Sequence, residues 1–200
     1  MHDPMCSWCW GFRATWLTVL EDLPEAVSVV TLLGGLAPDS AQPMPTEMQA
    51  MISNTWKTIQ QRIPGTRFDH SFWQKCQARR STYPACRAVI AARNQNPSFE
   101  QAMVLAIQQA YYLNAQNPSD KGILVDLAKD LLLDITLFEK DLSSEQTQQQ
   151  LDREILQARA LGATGFPSLI LEYKDKNSLL KLSYNDPEKI LKQVLSFLTK

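Results

Sequence analysis

The sequence predicts an α/β fold whose two halves are separated by a large all-helical block. Three features carry this reading. A Cys-x-x-Cys pair, Cys6 and Cys9, opens a helical stripe that is followed by the β-branched, nearly continuous apolar run 27–33. Residues 46–162 then show only helix signals. Strand patterning returns at 168–184, ahead of a last amphipathic helix.

Taken in order, Cys9, Phe12, Trp16, Leu20 and Leu23 recur at three- and four-residue steps and predict a helix that Pro24 ends. The run Val27–Leu33 predicts a strand buried on both faces. Gly34 and Gly35 stop it, and the proline-rich stretch 36–45 reads as a loop. Thr46 with Gln49 predicts a capping box for a helix to Ile63. Further helices are expected over Phe72–Arg79 and from Pro84 to Ala92. Others start at Ser98 and Ser119, with a short one at Thr136. The last of the block runs from Ser143, boxed with Gln146, to Gly162. Strands at Ser168–Tyr173 and Ser178–Tyr184 flank a turn at 174–177, and Asp186-Pro187 opens the C-terminal helix. The expected division is a discontinuous α/β domain, 1–45 and 163–200, with 46–162 as a helical insertion domain.

Composition narrows the function. The 200 residues are 44% hydrophobic, enough for a packed core, and the net charge is -1. No basic run invites nucleic acid, no apolar run is long enough to span a membrane, and no signal peptide is visible. Four cysteines are too few for a disulfide scaffold. The expected compartment is the cytoplasm, or the periplasm should a signal precede the present start.

In such a compartment a Cys-x-x-Cys is redox-active or metal-binding. A cysteine at a helix start faces unpaired N–H groups and the positive end of the macrodipole, which favours the thiolate. Cys6 is read as the exposed sulfur and Cys9 as the inward-turned one. A zinc half-site is the competing reading. Zinc prefers four ligands, and Cys76 and Cys86 are not spaced to complete such a site.

The stretches Asp3-Pro4-Met5-Cys6-Ser7-Trp8-Cys9-Trp10-Gly11-Phe12 and Thr164-Gly165-Phe166-Pro167-Ser168-Leu169 resemble the DsbA-like thioredoxin-fold family. The branch is the short bacterial members described as predicted protein-disulfide isomerases. It is related to 2-hydroxychromene-2-carboxylate isomerases and kappa-class glutathione transferases. The resemblance implies a thioredoxin-like fold with a large all-helical insertion. It implies Cys6 as nucleophile, Cys9 as resolving cysteine, and Pro167 as a cis-proline opposite them. Phe166 would offer its backbone to substrate, and Ser7 and Trp8 would line the substrate groove. Trp10 is read chiefly as packing. No histidine stands between the thiols, so strong oxidising power does not carry over. The fold also places a strand directly before the Cys-x-x-Cys, and only five residues precede Cys6; an upstream strand is expected.

The function expected is thiol–disulfide exchange on protein or small-molecule disulfides, without metal, flavin or nucleotide cofactor and with glutathione as a candidate redox partner. Two alternatives are a glutathione-dependent isomerase or transferase, and a non-enzymatic chaperone or scaffold using the helical block. His2 and Asp3 are read as a solvated terminus. Cys76 and Cys86 are read as free thiols outside the catalytic set, though a pairing between them is open.

Overall fold

The structure, a computed structural model, describes residues 1–198. Nine helices and one hairpin appear among these residues. Helix α1 spans Ser7–Asp22, α2 Thr46–Arg62, α3 Phe72–Lys75, α4 Tyr83–Gln95 and α5 Phe99–Leu113. Then follow α6 (Lys121–Asp130), α7 (Ile135–Leu142), α8 (Glu145–Ala160), strands β1 (Ile170–Tyr173) and β2 (Lys176–Leu179), and α9 (Glu188–Leu198).

Helix α4 is the axis of the helical block. Its run of small and branched residues, Ala85 to Ala92, is buried almost throughout, which is the signature of a helix surrounded on all sides. Small side chains let α5, α7 and α8 pack closely against it. The main core joins Met5 and Leu33 to this block. A second, smaller core forms where Phe12 and Val19 of α1 meet Ile190 of α9.

Several expectations shift on local grounds. Helix α1 begins at Ser7, with Cys6 as its N-cap, two residues earlier than the apolar stripe suggests. The Thr46–Gln49 box does not form: Pro45 is the cap residue, and the Gln49 amide donates to the Met44 carbonyl instead. Helix α3 is four residues long, shorter than the stretch to Arg79. The cap of α8 is Ser144, whose hydroxyl accepts from Thr147 N–H, one position past the expected Ser143. In the hairpin, Lys174 and Asp175 both take positive φ and make a two-residue turn. That tight turn starts β2 at Lys176 and sets Glu172 opposite Asn177.

The largest correction concerns Val27–Leu33. No strand forms there; only Leu33 bridges, in parallel, to His2. A run of strand-favouring residues becomes a strand only beside a partner. On one flank Leu33 N–H donates to the Glu154 carboxylate of α8 at 2.8 Å, not to another backbone. On the other flank, among the described residues, His2 lies alongside. His2 N–H donates to Leu32 C=O (3.0 Å) and Gly34 N–H to His2 C=O (2.7 Å). Met1 exchanges both backbone bonds with Ser168, at 2.9 and 3.0 Å. Residues 1–2 thus link Leu32–Gly34 on one side to Ser168 on the other.

Candidate active site

The Cys-x-x-Cys lies at the N-terminus of α1, beneath the loop that precedes β1. Cys6 ends the extended segment with β-region backbone and hands its carbonyl to Trp10 N–H at 3.1 Å. No side chain caps the first turn of α1, and Cys6 stands at its N-cap position. Cys9, one turn on, points into the core. Both are free thiols.

The Cys6 sulfur donates to the Phe166 carbonyl at 3.3 Å, and the Phe166–Pro167 peptide is cis. Cys6 is not the exposed group expected from its place at the helix start: it is only 6% exposed. It does open onto a cleft of about 260 Å³, lined also by Trp8, Met44, Thr55, Tyr111 and Phe166. Arg79 and Arg80 stand at the same cleft. Arg79 is ion-paired to Asp120.

Burial pushes the Cys9 thiol well up, and the neighbouring Cys6 adds to the effect by hydrogen bond and by charge. Cys9 therefore stays protonated at neutral pH until the chemistry gives it a reason to ionise.

The other expected site residues divide. Trp8 borders the cleft, with Tyr184 at 5.2 Å between ring centroids and the Arg62 guanidinium 5.9 Å from its ring. Trp10 stacks on Tyr112 and donates its indole N–H to the Arg67 carbonyl, a packing role. The Ser7 hydroxyl accepts from the indole N–H of the fully buried Trp56 at 2.9 Å, so it anchors the aromatic core as well as facing the cleft.

The reading of His2 and Asp3 as a solvated terminus is overturned. Asp3 is 0% exposed. Its carboxylate accepts from Met5 N–H (2.8 Å), Leu36 N–H (2.7 Å) and the Thr82 hydroxyl (2.6 Å), with the Cys86 thiol at 3.6 Å. Burial raises the Asp3 pKa against these bonds, which pull it down. Asp3 ties the Cys-x-x-Cys loop to two remote segments. Cys76 and Cys86 do not pair: both are free, and Cys76 donates instead to the Ala115 carbonyl at 3.0 Å. Among the described residues no cluster of three or more His, Cys, Asp or Glu is assembled around a common point to hold a metal ion.

Sequence reasoning also missed Tyr184 and Thr82. Burial, with Cys6 and Cys9 close by, pushes the Tyr184 phenol up to about 12. Its position follows from the Thr15 hydroxyl donating to the Tyr184 carbonyl at 2.6 Å. Thr82 is the residue just before α4, and nothing local marks its bond to Asp3.

Three comparisons bear on this geometry. A family model described as Thioredoxin matches residues 1–193. The ClpXP adapter protein SpxH of Bacillus subtilis (strain 168) is 24% identical over 200 residues, 96% of this chain. The chain spans 65% of the length of that curated relative. Among solved structures, a candidate protein disulfide isomerase from Nitrosomonas europaea superposes with a TM-score of 0.85 at 25% identity, covering 99% of this chain and 95% of that one. The cytosolic disulfide reductase DsbM from Pseudomonas aeruginosa superposes with a TM-score of 0.78 at 21% identity, covering 99% and 96%. A second DsbM structure, with GSH, gives 0.77. The fold is the thioredoxin-like, DsbA-like one, mostly helical with a small sheet, that the two motifs imply.

Proposed function

The chain belongs to the thioredoxin family, and from that premise we propose that it is a thiol–disulfide oxidoreductase working through Cys6 and Cys9. The observation that carries the reading is the pairing of the Cys6 sulfur with the Phe166 carbonyl at the mouth of a cleft, with Cys9 buried one turn behind.

The sequence of steps follows from the asymmetry. Cys6, as thiolate, attacks one sulfur of a substrate disulfide. The substrate S–S bond breaks, a mixed disulfide forms at Cys6, and the departing sulfur takes up a proton. Cys9 then gives up its proton and attacks the Cys6 sulfur, releasing the second substrate thiol. The enzyme is left with a Cys6–Cys9 disulfide, and two electrons have passed to the substrate. Two molecules of an external thiol such as glutathione return the pair to the dithiol form and leave joined as a disulfide. In this reading Phe166 presents its carbonyl and ring beside the reacting sulfurs, Pro167 fixes that loop, and Ser7 and Trp8 bound the substrate. Disulfide reduction or isomerisation in the cytoplasm is the direction that fits a thiol pair with no histidine between its cysteines. Glutathione fits as partner on the likeness to DsbM, whose structure has been solved with GSH.

The test is a redox titration of the purified protein in glutathione buffers, read by alkylation and mass. A two-electron couple that vanishes in both Cys6→Ser and Cys9→Ser is expected. Cys9→Ser should accumulate a mixed disulfide with glutathione at Cys6. Turnover on a disulfide substrate should fall by roughly 10³-fold or more in Cys6→Ser, the order seen when a covalent nucleophile is removed. No reversible couple, or equal turnover in Cys6→Ser, ends the reading.

A further inference from the structure

The redox cleft carries one charge that no described residue balances. Its walls beside Cys6 are apolar, with Met5, Trp8, Met44, Ile52 and Phe166 among them, and no Asp or Glu borders it. Two arginines do, Arg79 and Arg80. Arg79 is ion-paired to Asp120. Among the described residues the exposed Arg80 guanidinium has no ion pair and no hydrogen-bond partner.

Its charge reaches the wall of the cleft. Burial pushes the Tyr111 phenol up, and the Arg80 charge is the first of the influences that oppose this. Tyr111 also borders the cleft, and it stays neutral at neutral pH, so it does not cancel the cation. The Trp8 wall brings no anion either: the charged group over its ring is the Arg62 guanidinium. An apolar cleft holding one sign of charge focuses its field on whatever enters.

We infer that Arg80 is a specificity-determining residue, selecting disulfides that carry a carboxylate beside the reacting sulfur. The inference rests on the oxidoreductase reading and adds a substrate class to it. A guanidinium can hold a carboxylate through two parallel N–H donors, while the apolar walls take the aliphatic part of the substrate. Arg80 moves no proton and no electron. The exchange at Cys6 is the one already described, and the ion pair favours encounter and binding of the acidic substrate.

The probes are the disulfide dimers of N-acetyl-Cys-Asp amide and N-acetyl-Cys-Asn amide, matched in size and different in charge. Each is mixed with the reduced protein, and oxidation of Cys6 and Cys9 is followed by acid quench, alkylation and mass. The preference is the rate with the aspartyl dimer divided by the rate with the asparaginyl one. It should be roughly fivefold higher in the parent than in Arg80→Gln, the scale of one exposed charge pair. Arg80→Lys should keep part of it, and salt at about 1 M should remove it. Arg62→Gln should leave it in place. Glutathione disulfide and a protein disulfide flanked by acidic residues both carry such a carboxylate. A larger loss in Arg80→Gln with glutathione disulfide than with the aspartyl dimer names the first as the source, and the reverse names the second.

Oxidation by neither dimer ends the oxidoreductase reading and the inference with it. Oxidation by both, with the same preference in the parent and in Arg80→Gln, overturns the inference alone. So does an equal slowing of both dimers in Arg80→Gln, which would place the guanidinium's effect on the Cys6 thiolate. A loss of preference as large in Arg62→Gln overturns it too, since the cause would then be the general field of the surface.

Discussion

The Cys6 sulfur sits 3.3 Å from the Phe166 carbonyl oxygen across 160 residues of sequence, and the far end of the Phe166 ring in turn packs against Gly34. A Cβ added at Gly34 would fall 1.9 Å from Phe166 Cζ. Gly34→Ala therefore has to displace the ring, and the carbonyl that faces Cys6 moves with it. Overpacking of this kind costs about 1–3 kcal/mol. Disulfide-reduction turnover should fall by roughly tenfold or more, because a small misplacement of a positioning group is felt in the rate. Steady-state kinetics beside a thermal melt check both. Turnover equal to the parent's would show that the ring does not set the carbonyl.

Ser7 links the Cys6–Cys9 turn to the aromatic core. Its hydroxyl accepts from the Trp56 indole, and Trp56 is packed by Phe68 at 4.9 Å and Trp73 at 4.9 Å, ring centroid to centroid. Ser7→Ala leaves a buried N–H without an acceptor, at a cost of about 1–3 kcal/mol. A lower denaturation midpoint and a shifted tryptophan emission are expected. Trp56→Phe should recover most of the lost stability in the double variant, since the stranded donor is then gone. Additive losses would place the cost elsewhere.

What the sequence disclosed, and what it withheld, follows from the range of the interactions. The Cys-x-x-Cys helix, the strandless block and the loop at Pro167 rest on local periodicity and short motifs, and all three are legible. The segment 27–33 has strand composition and does not form a strand, because pairing depends on a neighbour that composition does not specify. Asp3 looked solvated because it is close to the start of the sequence. Its burial is made by Leu36 and Thr82, 33 and 79 positions away, and no local pattern announces those bonds. Tyr184 and Arg80 escaped for the same reason: each reaches the thiols or their cleft only through the tertiary fold.

His2 should dominate part of the acid limb of stability. Burial, followed by the Met1 amine, Arg13 and Arg93, lowers its pKa from 6.5 to about 3. The unfolded chain thus takes a proton on His2 below about pH 6.5 while the folded chain refuses it until about pH 3. The stabilising contribution is complete above the upper value and is lost as pH falls toward the lower, a matter of a few kcal/mol. Urea midpoints should drop in the parent as pH falls from 7 to 4 and stay flatter in His2→Gln. Parallel curves for the two proteins would remove His2 from the account.

Asp3 acts in the opposite sense. Its raised pKa means that the folded chain keeps a proton which the unfolded chain releases above about 3.8. Its contribution is therefore favourable below that value and is lost as pH rises through the folded pKa. Asp3→Asn removes this slope, but it also turns an amide N–H toward donors that a carboxylate oxygen had accepted, Met5 N–H or the Leu36 and Thr82 pair. One stranded donor costs about 1–3 kcal/mol, so the variant should be less stable at pH 7 despite losing a buried charge. The same substitution reaches the resolving step. After burial and the Cys6 thiol, the Asp3 charge is one of the influences that raise the Cys9 pKa. With that charge gone, Cys9 should ionise more readily, and decay of the mixed disulfide at Cys6 should accelerate at neutral pH. Stopped-flow release of a fluorescent thiol from Cys6, followed against pH, measures it. The expected result is a profile displaced to lower pH in Asp3→Asn and restored in Asp3→Glu where that variant folds. A profile that does not move would leave Asp3 as a purely structural clamp.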